Sequence, residues 1–194
     1  MKYAIALACL VPLAGCNKGP EIHEKNASIA QVVNAAQDAG VASDRFLHAG
    51  QWRVTGTMEE MNIPGMPASA QAEMKKMMGS RQNFSSEYCL SPEEAKRPRG
   101  KFFTGKESNN CTYDHFDMAG GKIDAVMRCQ AQPSGTMTMT MNGTYAPDSY
   151  SSHMTMQLTG GRQSGMSMKM HSEAHRIGAC TGADKVNVSV GGAG

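Results

Sequence analysis

Methionines spaced two apart carry the most suggestive chemistry in the chain. Met137, Met139 and Met141 alternate with threonines, Met154 and Met156 lead to Leu158, and Met166, Met168 and Met170 alternate with Ser167 and Lys169. In extended backbone, residues i and i+2 share a face and lie about 6.6–7 Å apart, so each run turns its thioethers to one side. Thioethers are soft ligands that select Cu(I) or Ag(I) and need no deprotonation, which suits a compartment where thiols are oxidised. The same pattern serves packing, because Met fills irregular apolar gaps. With 17 Met but one Trp, five Tyr and five Phe, the chain needs such a face for its core. Packing is therefore the expectation, with soft-metal (copper or silver) binding and an adaptable apolar-ligand pocket as the alternatives. If the ladders are fully buried, Met139→Ala and Met156→Ala should each cost about 2–4 kcal/mol.

Histidines offer a second chemistry. On a strand, His171, Glu173 and His175 share the face opposite Met170, and two imidazoles with a carboxylate suit Zn(II) or Cu(II). The plain expectation is polar residues on the wet side of a strand. His153 flanks Met154 and points away from it, which argues against a joint His/Met site. The spacing is not HExxH, and there is no GxSxG, P-loop, dinucleotide fingerprint or deaminase HxE motif. Asp114, His115 and Asp117 are split by strand parity. Glu59-Glu60 reads as surface charge and Glu93-Glu94 as helix-start charge. The chain is read as non-enzymatic, with no cofactor other than the copper of the alternative reading.

Cysteine chemistry comes third. Of six cysteines, Cys9 falls in an N-terminal apolar run and Cys16 follows Leu13-Ala14-Gly15. Lys2 and the short apolar stretch Tyr3–Val11 form a signal peptide over residues 1–15. The Leu-Ala-Gly-Cys junction is a bacterial lipobox, which makes Cys16 the acylated first residue of the mature chain. Asn17, where Asp would favour inner-membrane retention under the sorting rule of some Gram-negative bacteria, points to the outer membrane. Cys89, Cys111, Cys129 and Cys180 remain, an even set for two disulfides with three possible pairings. No CxxC is present, so redox-motif or zinc-knuckle chemistry is disfavoured. A three-residue turn at Gly120-Gly121 would set Cys111 opposite Cys129. A two-residue turn would instead pair Phe116 with Ala125 and Met118 with Ile123, which packs better. Cys111–Cys129 with Cys89–Cys180 is the favoured pairing, and the sequence leaves it open.

The elements that must hold these groups are mostly strands. Residues 16–27 read as the lipidated cysteine and a tether, 28–181 as one β-rich domain, and 182–194 as a flexible tail. A helix is expected over Asn26–Gly40 and another over Ala68–Met78, where Met74, Met77 and Met78 share a side. A brief turn of helix is expected after Ser91-Pro92-Glu93-Glu94. Strands are expected at Trp52–Met58, Phe84–Cys89, Cys111–Met118, Ile123–Cys129, Met137–Met141, Thr144–Tyr150, His153–Leu158 and Met166–Ala174. The fold class is mainly β: an antiparallel curved sheet or partly closed barrel with two or three short helices. The formal net charge is +2 with no basic run, which argues against a nucleic-acid partner. The one partner the sequence implies is the membrane, through the lipid.

Five stretches in order carry a resemblance: Gly50-Gln51-Trp52-Arg53-Val54, Ile63-Pro64-Gly65-Met66-Pro67, Tyr88-Cys89-Leu90-Ser91-Pro92-Glu93, Gly120-Gly121-Lys122-Ile123 and Arg176-Ile177-Gly178-Ala179-Cys180. Together they resemble the bacterial domain-of-unknown-function family 3617, exported proteins often found as lipoproteins, over about residues 26–181. Cys89, Cys111, Cys129 and Cys180 match its usual cysteines. Ser91 stands where many members carry Thr and keeps the capping hydroxyl. The resemblance implies export, a single domain and structural disulfides, and brings no activity or ligand.

Overall fold

The computed structural model describes residues 20–41, 46–79, 83–96, 110–130, 135–161, 164–181 and 187–190. Residues 1–15, read from the sequence as a signal peptide, and Cys16, the expected acylation site, lie outside the described residues. So do the side chains of Met74, Met77 and Met78.

In chain order the elements are β1 (Ile22–Ser28), α1 (Ile29–Asp38), β2 (Gly50–Asn62), α2 (Ala68–Gly79), β3 (Asn83–Leu90), α3 (Pro92–Lys96), β4 (Cys111–Ala119), β5 (Lys122–Gln130), β6 (Thr136–Ala146), β7 (Ser149–Thr159), β8 (Ser167–Gly178) and β9 (Asn187–Val190). The strands form one antiparallel sheet in the order β1-β4-β5-β6-β7-β8-β2-β3-β9. From β4 to β8 it is a meander of hairpins, and β2 then adds to the far side of β8. The sheet ends at β1 and β9 and is not a closed barrel.

Among the boundaries that differ from the sequence reading, three change which segments are strand or turn. The expected tether becomes strand from Ile22, because β1 lays its backbone along β4 and buries Ile22 and Ala27. The expected tail contains β9, which pairs with β3. The separate strands expected at Met137–Met141 and Thr144–Tyr150 are otherwise divided: β6 runs through Asn142-Gly143, and the turn falls at Pro147-Asp148. Gly143 was a misleading break. A Cβ there would meet the Ser151 carbonyl oxygen, so this glycine serves a close backbone approach within a strand.

Local chemistry sets the helix starts. Ser28 caps α1: Gln31 N–H donates to Ser28 Oγ at 3.2 Å, and Ser28 N–H donates to Gln31 Oε1 at 2.8 Å. Asn26, the expected helix start, instead adopts φ 51° within β1. Ser91 and Glu94 make the same reciprocal box before α3.

Helix α1 packs on β1 and β4 through Val32 and Ala36. Beneath it lies the core. Trp52 and Phe116 are fully buried, Tyr113 meets Phe116 edge-on, Phe46 meets Tyr145 edge-on, and Trp52 stacks on Tyr150. Full burial of a large apolar side chain contributes about 1.5–3 kcal/mol. Trp52 Nε1 donates to the His48 carbonyl at 3.0 Å, so its polar edge is satisfied. Burial pushes the Tyr113 hydroxyl up to about 12.

The hairpin resolves the cysteine question. Gly120 (φ 57°) and Gly121 (φ 76°) form a two-residue turn, which pairs Met118 with Ile123 and Phe116 with Ala125. Beyond His115 the register shifts by one at Asp114, and Cys111 then falls opposite Cys129. A β-bulge makes both pairings true at once. The disulfides are Cys111–Cys129 and Cys89–Cys180, with Cα–Cα distances of 4.0 and 5.5 Å.

Candidate functional site

Register between hairpins assembles the methionines into rows that cross the sheet. One row runs Met127, Met139, Met156, Met168, Met61 over β5, β6, β7, β8 and β2. The next runs Met141, Met154, Met170, Met58 over β6, β7, β8 and β2. Met137 lies between Cys129 and Leu158 in a third row, and Met166 sits just before β8, its carbonyl accepting from Leu158 N–H at 2.9 Å. Directly paired residues on antiparallel strands have Cα atoms about 4.5–5.5 Å apart, closer than the i, i+2 spacing along one strand. The strand pattern thus gave the face, and the cross-strand register supplied the shorter contact.

These methionines are not ordinary core. Met118 and Met127 are 0% and 4% exposed and show what core methionine looks like in this protein. Met58, Met61, Met137, Met139, Met141, Met154, Met156, Met166, Met168 and Met170 are all only half-buried. The ladders are thus partly buried, and the condition of full burial set for Met139 and Met156 is not met. Met137, Met139 and Met141 pack against the main core, each paired with one of its buried residues on β5, Cys129, Met127 and Ala125. A row of small residues (Gly143, Ser152, Ser172 and Gly56) separates the Tyr145–Tyr150–Ala174–Val54 row of the core from the methionine rows.

The opposite face holds the histidines. Since Met154 pairs with Met170, His153 pairs with His171, and the two rings stack in parallel with centroids 4.3 Å apart. Glu59 of β2 reaches the same place, with its Oε1 3.9 Å from His153 Nδ1. One ligand atom from each of Glu59, His153 and His171 lies within 4.8 Å of the others. Ser151 Oγ is 3.1 Å from His171 Nε2, and a Glu173 oxygen is 3.8 Å from that same nitrogen. A Ser–His–carboxylate relay needs the carboxylate on the other ring nitrogen, so these three residues do not form one.

The set expected on β8 therefore comes only partly together. Four residues of strand, about 13 Å at 3.3 Å each, separate His171 from His175. His175 instead pairs with Ser149 and Arg53 and lines a half-open cleft of about 260 Å³ with Thr144, Tyr145, Tyr150, Ser151 and Glu173. His153 and Glu59 were missed. Pairing the two Met ladders in register would have placed His153 opposite His171. Glu59 had no such signal, because its position depends on a β-bulge in β2.

These features define a disulfide-bonded, open antiparallel β domain with a thioether-rich face and an imidazole-carboxylate face. The chain belongs to the family described as "Protein of unknown function (DUF3617)", whose model matches residues 47–180, from the segment before β2 to Cys180. No curated protein and no solved structure matches the chain.

Proposed function

We propose that the protein is a non-enzymatic, lipid-anchored protein of the cell envelope that binds Cu(I) or Ag(I) on its methionine face. The observation that carries this reading is the pair of transverse rows, whose methionines (Met127 apart) are half-buried where this protein's core methionines are almost fully buried. Neighbouring strands bring thioethers close enough for flexible side chains to converge on one soft ion. Thioethers also keep their affinity where cysteines are consumed in disulfides, as all four domain cysteines are here.

Localisation follows from chemistry at both ends of the argument. Disulfides persist in oxidising compartments. The lipobox at Leu13-Ala14-Gly15-Cys16 supplies the anchor, and Asn17 favours the outer membrane. An apolar-ligand carrier has less support. The cleft beside His175 is polar at its rim and, at about 260 Å³, smaller than the 300–1,000 Å³ typical of small-molecule sites.

The test is an anaerobic Cu(I) titration of the oxidised, full mature chain in detergent against a chromophoric chelator. Competition is expected, and it should disappear in a Met139→Leu, Met156→Leu, Met168→Leu variant, whose side-chain volumes are conserved. Wild-type protein that cannot compete, or a triple variant that competes equally well, would return the ladders to packing.

A further inference from the structure

We infer that Glu59, His153 and His171 form a separate site for a divalent ion of the Zn(II)/Cu(II) class, on the sheet face opposite the methionine rows. Three adjacent strands, β2, β8 and β7, each contribute one ligand. The inference does not depend on the soft-metal reading, because it uses different residues and a different class of ion.

The backbone prepares this arrangement at two places. First, the β7–β8 register sets His153 and His171 directly opposite, which brings the two rings to the same place on the polar face. Second, β2 carries an extra residue between Met58 and Glu60: Met58 pairs with Met170 and Glu60 with Lys169, while Glu59 has no partner in the ladder. The bulge keeps Met61 in the methionine row and leaves Glu59 and Glu60 together on the polar face. Glu60 is then taken by Lys169, whose ammonium donates to it at 2.8 Å. Glu59 is left to extend across β8 toward His153.

The distances suit an ion between the groups better than a direct bond. At 3.9 Å, Glu59 Oε1 and His153 Nδ1 are beyond hydrogen-bond range. A tetrahedral ion with bonds of about 2.0–2.1 Å holds its ligand atoms about 3.4 Å apart. The cluster closes onto one when an imidazole turns out of the parallel stack, so that both in-plane lone pairs meet the ion. Ser151 Oγ engages His171 Nε2, so ligation by His171 through Nδ1 would leave that contact as the outer hydrogen bond of a metal site, and the Glu173 carboxylate adds negative charge beside it.

The donor set selects the ion. Two imidazoles disfavour Ca(II) and Mg(II), which prefer all-oxygen ligands, and favour Zn(II) and Cu(II). Glu59 and His153 are exposed. Three protein ligands with an open side fit an exchangeable ion rather than a closed four-ligand structural site.

The experiment is calorimetric titration of the untagged, full mature chain in detergent with Zn(II), and with Cu(II) followed by electron paramagnetic resonance. The expected result is one ion per chain, with nitrogen hyperfine structure from two imidazoles on Cu(II). Glu59→Gln, His153→Ala and His171→Ala should each weaken binding at least tenfold. His175→Ala and the Met→Leu triple variant should bind as wild type. Glu59→Gln is nearly isosteric, and an unchanged melting temperature separates lost ligation from lost folding. No binding by wild type, or equal weakening by His175→Ala, would overturn the site.

Discussion

Methionine behaves in two ways in this protein, and the difference lies in what covers each side chain. Met118 and Met127 lie against the core formed under α1 and are almost fully buried. Met154, Met156, Met168 and Met170 lie farther along the same sheet face and stay half-buried. The cost of truncation follows the burial. Met127→Ala should destabilise the fold by about 2–4 kcal/mol, the range for emptying a closed site. Met156→Ala should cost roughly 1 kcal/mol, because solvent already reaches part of the side chain and fills the space it leaves. Urea unfolding of the two variants at unchanged m-value measures the contrast. Equal losses would mean that the ladder is core after all. His153 and His171 make a parallel point: each is an unremarkable surface residue alone, and only their opposition across β7 and β8 gives them a shared chemistry.

Bulges do much of the positioning at the scale of elements. Asp114 in β4 reconciles a tight Gly120-Gly121 turn with a Cys111–Cys129 bridge, and its carboxylate accepts from Arg128 Nε at 2.6 Å. Glu59 in β2 divides the methionine face from the ligand cluster. Ile177 is skipped between the Gln51–Gly178 and Trp52–Arg176 pairs, which explains an exposed large apolar residue on β8. Edge strand β1 is held partly by charge. His23 Nδ1 lies 2.8 Å from Asp117 Oδ1 on β4, and hydrogen bonds to Asp117 and then Glu21 raise the imidazole pKa above 6.5. The raised value sets the sign. This clasp contributes its full stability below pH 6.5 and loses it as pH rises through the higher folded-state pKa. An NMR titration of the His23 ring should give a midpoint above 6.5 that falls in Asp117→Asn. A midpoint at or below 6.5 in the wild type would remove the clasp from the account.

The described strands form one open sheet braced by two disulfides. Cys89–Cys180 joins residues 91 apart and ties β3 to the segment just after β8, where a loop-entropy estimate gives about 4–5 kcal/mol. Three of the five family-like stretches meet there: Gln51 pairs with both Cys89 and Gly178. No helix among the described residues is long and apolar enough to cross a membrane. The proposed anchor is the lipid on Cys16, at the Leu13-Ala14-Gly15-Cys16 motif. Cys16→Ala should abolish acyl labelling and move the protein out of the membrane fraction. A variant that stays membrane-bound and labelled would refute lipidation at that residue.

Local rules carried the sequence reading wherever one segment decides its own state. The alternation of Met with Thr, the Gly120-Gly121 turn, the Ser91–Glu94 capping box and the even cysteine set are all written in neighbouring residues or in composition, and the antiparallel β class followed from them. Tertiary structure decided what depends on register between distant strands. Ile22–Ser28 carries little apolar signal and becomes strand only because β4 offers it an edge. The pairing of β2 with β8 brings Glu59 to His171 and Met61 to Met168 across more than a hundred residues of chain. Strand periodicity assigns a residue to a face. Which residue of another strand lies beside it depends on bulges and turn lengths, and a shift of one residue exchanges the two faces.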